Sequence, residues 1–161
     1  MTRLMIVLSV ALALGAQAVA LAQARPDFSG TWRLNVAKSG PNVAGNTPNI
    51  PFPSQIVVKQ TPTDISVEST SVRQQPISAV YKLDGSKVSV QAPEGISETG
   101  EAKVDGGNLS INSRRSFSSP AGEVVVEFKE IWSVTGNALT IQKTRIQSGE
   151  SSTEKAVYDK L

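Results

Sequence analysis

The stretch Phe28–Asn35, which reads FSGTWRLN, decides the fold, because a strict alternation of side chains begins there. Phe28, Gly30, Trp32 and Leu34 share one face at period two, and polar or charged residues lie between them. This pattern is typical of a β-strand with one buried face. A glycine weakens a strand unless another group must approach closely, so Gly30 predicts a crowded end of a sheet beside Trp32.

Residues 1–24, upstream of this strand, have the pattern of a secretory signal peptide. Arg3 precedes an apolar run over residues 4–14, and Ala-Gln-Ala ends at position 24. Gly15 and Gln17 interrupt the run before it reaches the about 20 apolar residues of a membrane span. We expect cleavage after position 24, a single domain over residues 25–161 with no membrane span, and a secreted or periplasmic location. An uncleaved N-terminal anchor is the alternative.

Composition excludes several classes of function. The chain has 16 lysines and arginines against 14 acids, and it contains no histidine and no cysteine. So small a net charge, with signs alternating along the chain, is not the footprint of a nucleic-acid-binding protein. Without histidine or cysteine, Ser-His-Asp chemistry, Cys-His chemistry, ordinary zinc sites and lipid attachment at a cysteine are unavailable. We therefore expect no metal and no cofactor.

Residues 37–54 are dense in glycine, proline, asparagine and serine, with no helical period. A connection of this length in a compact domain is often functional. We expect it to cross one end of the sheet, packed down by Ile50 and Phe52. A loosely attached surface loop is the alternative.

The rest of the chain alternates short strands with turns. Asp84-Gly85-Ser86 predicts a hairpin between residues 77–83 and 87–91. With no helix to support a parallel crossover, the class is all-β, a single antiparallel up-and-down meander of about nine or ten strands. After the first strand, the predicted strands are 55–60, 65–72, 77–83, 87–91, 99–104, 109–117, 123–134, 138–146 and 153–160.

A meander of this length leaves an unpaired strand at each edge, which closure into a barrel would remove. The short turns favour such a barrel over a two-sheet sandwich with Greek-key crossings.

The opening strand carries a resemblance. Phe28-Ser29-Gly30-Thr31-Trp32 before a meander resembles the calycin superfamily, and lipocalins in particular, with their G-x-W motif. The chain is also similar to small exported bacterial lipocalin-like proteins that begin with Asp-Phe-Ser-Gly-Thr-Trp and end in a tyrosine-lysine strand, here residues 157–160. The resemblance implies a barrel around a small apolar or amphipathic molecule. It also implies that Trp32 plugs the closed end under an arginine from a late strand, for which Arg145 is the candidate.

The inward faces of three strands predict charges inside this barrel. If Val134 pairs with Leu139 across their turn, Trp132 faces Ile141 and Glu130 faces Lys143. Arg115 points to the same side of the preceding strand. The predicted inward residues are Val124, Val126, Phe128, Glu130, Trp132 and Val134, then Leu109, Ile111, Ser113, Arg115 and Phe117, then Leu139, Ile141, Lys143 and Arg145.

Two interpretations of Glu130 follow. It forms an ion pair with Lys143 or Arg115 that fixes register, or it is a polar anchor in a ligand cavity. In the second case Phe128, Glu130, Trp132, Arg115 and Lys143 bind the ligand, and the excess of cations favours a carboxylate-bearing one. Trp132 is either cavity wall or packing.

Three classes of function remain open. An exported carrier of a small molecule comes first, and a non-enzymatic cell-envelope structural or interaction module with a packed barrel comes second. An enzyme comes third and is not expected, because Glu130 is the one candidate for acid–base chemistry. Asp64, Glu68 and Glu98 show no paired geometry in the sequence. We expect a monomer.

Overall fold

The computed structural model describes residues 25–43, 51–71 and 74–161. The predicted signal peptide and Ile50 lie outside these residues. Within them the chain forms ten β-strands and a single 3-10 turn, Val36–Lys38, which the sequence did not predict. No described helix is long and apolar enough to cross a membrane. The strands are β1 Gly30–Leu34, β2 Gln55–Gln60, β3 Asp64–Ser71, β4 Gln74–Lys82, β5 Val88–Ser89, β6 Ile96–Asp105, β7 Asn108–Ser119, β8 Gly122–Thr135, β9 Ala138–Gln147 and β10 Glu150–Lys160.

The strands form one antiparallel sheet that curls into a nearly closed barrel. Its order is β4-β3-β2-β1-β10-β9-β8-β7-β6-β5. The first and last strands of the chain pair with each other, with Trp32 opposite Lys160 and Leu34 opposite Tyr158. The all-β meander and its calycin-like closure, both predicted from the sequence, are confirmed.

The predicted hairpin at Asp84-Gly85-Ser86 is wrong. The turn exists, since Asp84 accepts a hydrogen bond from the Ser86 amide at 2.9 Å. However, β5 pairs with β6 alone, and Asp84 forms a bridge with Lys103 of β6. The turn residues do specify a reversal of the chain. They do not bring β4 and β5 into a ladder, because β5 is only two residues long and lies along β6.

A seam between β4 and β6 is therefore the place where the strand ladder is interrupted. The Gly85 amide donates to the Ala102 carbonyl at 3.0 Å and ties one end of the seam. Farther along, the Tyr81 ring of β4 lies against Gly100 of β6, where an added Cβ would be 2.6 Å from Tyr81 Cε1. The seam is closed by an aromatic side chain.

One end of the barrel is plugged by Trp32, which is fully buried. Its indole Nε1 donates to the Phe28 carbonyl at 2.9 Å. The cation above the indole is Lys160, with Nζ 5.2 Å from the ring centroid. The expectation of Arg145 in this place is wrong, because Arg145 pairs with Ser152, eight residues before Lys160 on β10.

Gly30 confirms the predicted crowding. Its φ of +143° is unfavourable for other residues, and a Cβ there would be 2.7 Å from Lys160 Cε. The glycine therefore lets the lysine side chain cross β1 to reach Trp32. The largest fully buried side chains are Trp32, Tyr158, Phe28, Ile56, Ile65, Leu109, Leu139 and Val58.

The described parts of the 37–54 connection are attached to the barrel. Phe52 packs against the hydrophobic core, as predicted. Tyr158 donates its hydroxyl hydrogen to the Pro53 carbonyl at 3.0 Å. At the other end of the connection, the Gly40 amide donates to the Lys155 carbonyl at 2.8 Å.

Candidate functional site

A cavity of about 150 Å³ lies inside the barrel beyond the plugged end. Short side chains border this space, with Ala79 on β4 and Ser113 on β7 among the lining residues. The wall on the β3–β4 side is apolar, with Val67, Ile77 and Ala79, and the segment Pro51–Pro53 covers another side. A mostly apolar hollow with a few converging polar groups is the usual form of a small-molecule site.

The first polar feature of the cavity is an ion pair between β8 and β9. Glu130 Oε1 lies 2.9 Å from Lys143 Nζ, and both side chains are 16% exposed. The residues are directly opposite in the register that the sequence predicted. Glu130 Oε2 also accepts a hydrogen bond from Trp132 Nε1 at 2.8 Å. Both carboxylate oxygens therefore have donors, and the predicted pairing is confirmed.

A second ion pair joins β6 and β7. Arg115 donates from Nε and Nη2 to Glu98 Oε2, at 2.9 and 2.7 Å. The Glu98 side chain is only 10% exposed, whereas the Arg115 side chain is 31% exposed, so the pair is partly shielded from water. Glu98 and Arg115 are opposite one another in the β6–β7 ladder, which aims both side chains into the barrel.

The Phe128 ring connects the two ion pairs. Lys143 Nζ lies 4.7 Å from its centroid and the Arg115 guanidinium carbon lies 5.9 Å from it. Both distances are within the about 6 Å over which a cation is attracted by an aromatic face. Glu98, Arg115, Phe128, Lys143 and Glu130 thus form one continuous belt, which we call the charged belt.

Two tyrosines complete the polar surface of the cavity. Burial raises the pKa of Tyr81, and the charges of Glu130 and Glu98 raise it further. Burial likewise raises the pKa of Tyr158, and Glu130 adds to the effect. Both phenols therefore stay protonated across the physiological range, and the Tyr158 hydroxyl donates its hydrogen to the Pro53 carbonyl.

The structure brings together the five predicted ligand-binding residues, Phe128, Glu130, Trp132, Arg115 and Lys143, which all line this cavity. Whether they bind a ligand stays a prediction. Arg145 does not line it, since this side chain hydrogen bonds to Gln147 near the β9–β10 turn. Among the described residues, no group of three or more acidic side chains is placed to hold a metal ion.

Sequence reasoning missed Glu98 and Tyr81. The predicted strand began at Thr99, whereas β6 begins at Ile96, so Glu98 was left outside it. Counting back from the Asp105–Asn108 turn would have placed Glu98 opposite Arg115. The excess of inward cations inferred from the sequence is therefore wrong, because it left out this carboxylate. Tyr81 was on a predicted strand, but no signal pointed to its place at the seam.

Comparison with two solved structures supports the fold, and a third is similar at a lower score. The zebrafish ileal bile acid-binding protein in complex with cholic acid is similar at a TM-score of 0.58 and 14% identity, over 83% of this chain and 98% of that one. The wild-type fluorescent protein UnaG is similar at a TM-score of 0.53 and 12% identity, over 83% of this chain and 97% of that one. The fatty-acid-binding protein of Manduca sexta has a TM-score of 0.49 and 17% identity, over 83% of this chain and 99% of that one.

Neither a family model nor a curated protein matches this sequence. At such identities the structural likeness shows the fold alone. Fold and cavity together place the chain in the class of calycin-like barrels.

Proposed function

We propose that this protein is exported and that it carries a small apolar or amphipathic molecule inside its barrel. The observation that carries the proposal is the cavity, in which an apolar wall faces the charged belt. The complex of the similar zebrafish barrel with cholic acid supports it by analogy of fold. The activity proposed is binding and not catalysis, because each carboxylate of the cavity is engaged by a cation.

This proposal does not specify which polar group the ligand carries. A carboxylate-bearing ligand was expected from an excess of inward cations. Because Glu98 pairs with Arg115, such a ligand would have to share a cation with Glu98 or Glu130, or displace one of them. The charges of the cavity therefore no longer favour a carboxylate-bearing ligand.

The export part of the proposal depends on the sequence pattern of residues 1–24, and the contacts of the first described residues are compatible with cleavage after position 24. Arg25 donates to the Pro62 carbonyl at 2.5 Å, and Gln60 Nε2 donates to the Pro26 carbonyl at 3.0 Å. Cleavage after position 24 would keep both contacts. N-terminal sequencing of the protein from a periplasmic or medium fraction should begin at Arg25, and a full-length chain retained in the membrane would contradict export.

Native mass spectrometry of the purified protein tests carriage. We expect a mass adduct that disappears on denaturation. Ala79→Phe should abolish the adduct, because Ala79 lines the cavity and the larger ring fills it. Val80→Phe is the matched control, since Val80 is 54% exposed and adjacent in sequence. An apo mass for the parent, or an adduct that persists in Ala79→Phe, would contradict carriage in this cavity.

A specific observation favours one second candidate, the cell-envelope module. The cavity is smaller than the about 300–1,000 Å³ of usual ligand sites, and its charges satisfy one another. A barrel without an adduct that binds an envelope protein through its outer surface would support this second function.

A further inference from the structure

The cavity, if it binds a small molecule as proposed above, also restricts the charge and the size of that molecule. The charged side chains that line it are two acids and two bases, Glu98, Glu130, Arg115 and Lys143. Their formal charges sum to zero within the described lining. An ion entering this space would therefore add a net charge to a region that is partly shielded from water.

Each cation of the cavity already has a carboxylate at hydrogen-bond distance. Arg115 directs two donors at Glu98, and Lys143 is 2.9 Å from Glu130. A ligand carboxylate that shared a cation with its glutamate would leave two carboxylates on one cation, and one that displaced the glutamate would leave that glutamate unpaired in the barrel. Breaking a shielded pair leaves an uncompensated charge, and this makes the exchange unfavourable.

An uncharged polar group avoids these costs. Arg115 has five N–H donors and Lys143 has three, so each can keep its glutamate and still donate to a carbonyl or hydroxyl oxygen. The belt also offers carboxylate oxygens as acceptors. A group that both donates and accepts, such as an amide or a hydroxyl, can therefore join the belt without breaking a pair.

The volume restricts the ligand to a compact shape. An apolar protein cavity of about 150 Å³ is known to admit a molecule of the size of benzene. The cavity has this volume, and its apolar wall at Val67, Ile77 and Ala79 faces the belt. A single ring with one small substituent would fill it, with the ring on the wall and the substituent at the belt.

We infer that the cavity selects compact ligands of no net charge, about one ring in size, whose polar group hydrogen bonds to the charged belt. Selection arises because the belt is internally neutral and already paired. This inference rests on the proposed carrier function and specifies its ligand class.

Three probes of nearly equal shape test the charge requirement. Benzoate, benzamide and benzamidinium carry charges of −1, 0 and +1 on the same ring. Titration of the ligand-stripped protein with each, followed by calorimetry and by thermal unfolding, should give the lowest Kd for benzamide. We expect a preference of at least about tenfold over each ion, since burying an unpaired charge costs more than the about 1.4 kcal/mol of one decade.

Charge variants give a second readout that does not depend on absolute affinity. Glu98→Gln frees Arg115 and should move the preference toward benzoate, whereas Arg115→Met leaves Glu98 unpaired and should move it toward benzamidinium. Glu127→Gln is the matched control, because Glu127 is exposed on the outer face of β8. It should leave the order of the three probes unchanged.

The outcomes separate this inference from the proposed function. Tighter binding of benzoate or benzamidinium by the parent would overturn the neutral-ligand inference and still support a binding cavity. No binding of any probe by a protein that shows a mass adduct would also overturn it while carriage stands. A protein that shows no mass adduct and binds no probe would contradict both the carrier function and the neutral-ligand inference.

Discussion

Phe128 lies between two positively charged side chains that are each held by a glutamate, and this arrangement makes single-residue changes informative. Glu130→Gln keeps the shape of the side chain and can keep the acceptor for Trp132 Nε1, but it removes the charge that compensates Lys143. We expect a loss of about 1–3 kcal/mol in the free energy of unfolding, measured by urea denaturation.

Glu68→Gln is a control for this change, because Glu68 is exposed in the middle of β3 and pairs with no described cation. It should leave the urea midpoint within error of the parent. A Glu130→Gln variant as stable as the parent would show that the pair with Lys143 contributes nothing to the fold.

Trp32 gives a second prediction at the residue scale. The side chain is fully buried, so Trp32→Ala should lower the free energy of unfolding by about 3–5 kcal/mol, the usual cost of deleting a buried aromatic. Arg145→Ala is the matched comparison, because Arg145 lies away from Trp32. This change should have little effect on the free energy of unfolding. Equal stability of Trp32→Ala and the parent would contradict the plug.

The sequence predicted Glu130 opposite Lys143 but missed Glu98 opposite Arg115, and the two cases differ in one physical respect. For Glu130 the pairing starts at a tight turn next to long, well-patterned strands. For Glu98 the inward positions include Gly100 and Ala102, which carry little hydrophobic signal. The alternation fades there, so the strand was predicted too short.

At the scale of elements, β4 and β6 are held together by the packing of Tyr81 on Gly100. Gly100→Ala would place a methyl group 2.6 Å from the Tyr81 ring, and the ring must move. We expect a loss of about 1–3 kcal/mol in the free energy of unfolding, the usual cost of overpacking. The loss should shrink in a Tyr81→Leu background, where the ring is absent.

A double-mutant cycle over the four proteins measures this coupling by urea denaturation. Additive losses would contradict direct packing across the seam. The sequence could not predict this contact, because the turn at Asp84-Gly85-Ser86 indicated a β4–β5 hairpin, and a local turn does not determine which distant strand will be adjacent.

The attachment of the connection after β1 gives a prediction for pH dependence. Hydrogen bonds from Lys38 and from Asn35 lower the pKa of Asp159 below its ordinary value of 3.8. A lowered pKa in the folded state contributes stability above the unfolded pKa, and this contribution is lost as pH falls through the folded value. The stability advantage of the parent over Asp159→Asn should therefore be constant above about pH 5 and shrink below about pH 4.

Urea denaturation of both proteins at several pH values checks this dependence. Lys155→Gln is a suitable control, because Lys155 is an exposed side chain on the same strand. A difference between the parent and Asp159→Asn that stays constant down to pH 2 would show that the Lys38 and Asn35 contacts do not favour the ionised carboxylate.

At the scale of the whole molecule, the sequence contained most of what determines the barrel. Period-two alternation and turn residues predicted most of the strands. The pairing of β1 with β10 was expected because it leaves neither end of the meander as an unpaired edge strand. The internal hollow was not predictable, because its volume depends on where the Tyr81 ring and the segment Pro51–Pro53 lie in space. Neither position follows from local pattern.

The seam has a consequence for how the molecule opens. Separating β4 from β6 beyond the Gly85–Ala102 tie breaks no strand ladder, whereas opening the barrel anywhere else does. Transient widening there is the least costly opening, so amide hydrogens of Ser78 and Val80 should exchange with solvent deuterium faster than those of Ile141 and Thr140 in the middle of β9. Uniform protection of β4 and β9 in a hydrogen-exchange measurement would contradict this. A barrel that opens along one seam can admit a molecule while every paired strand stays in register.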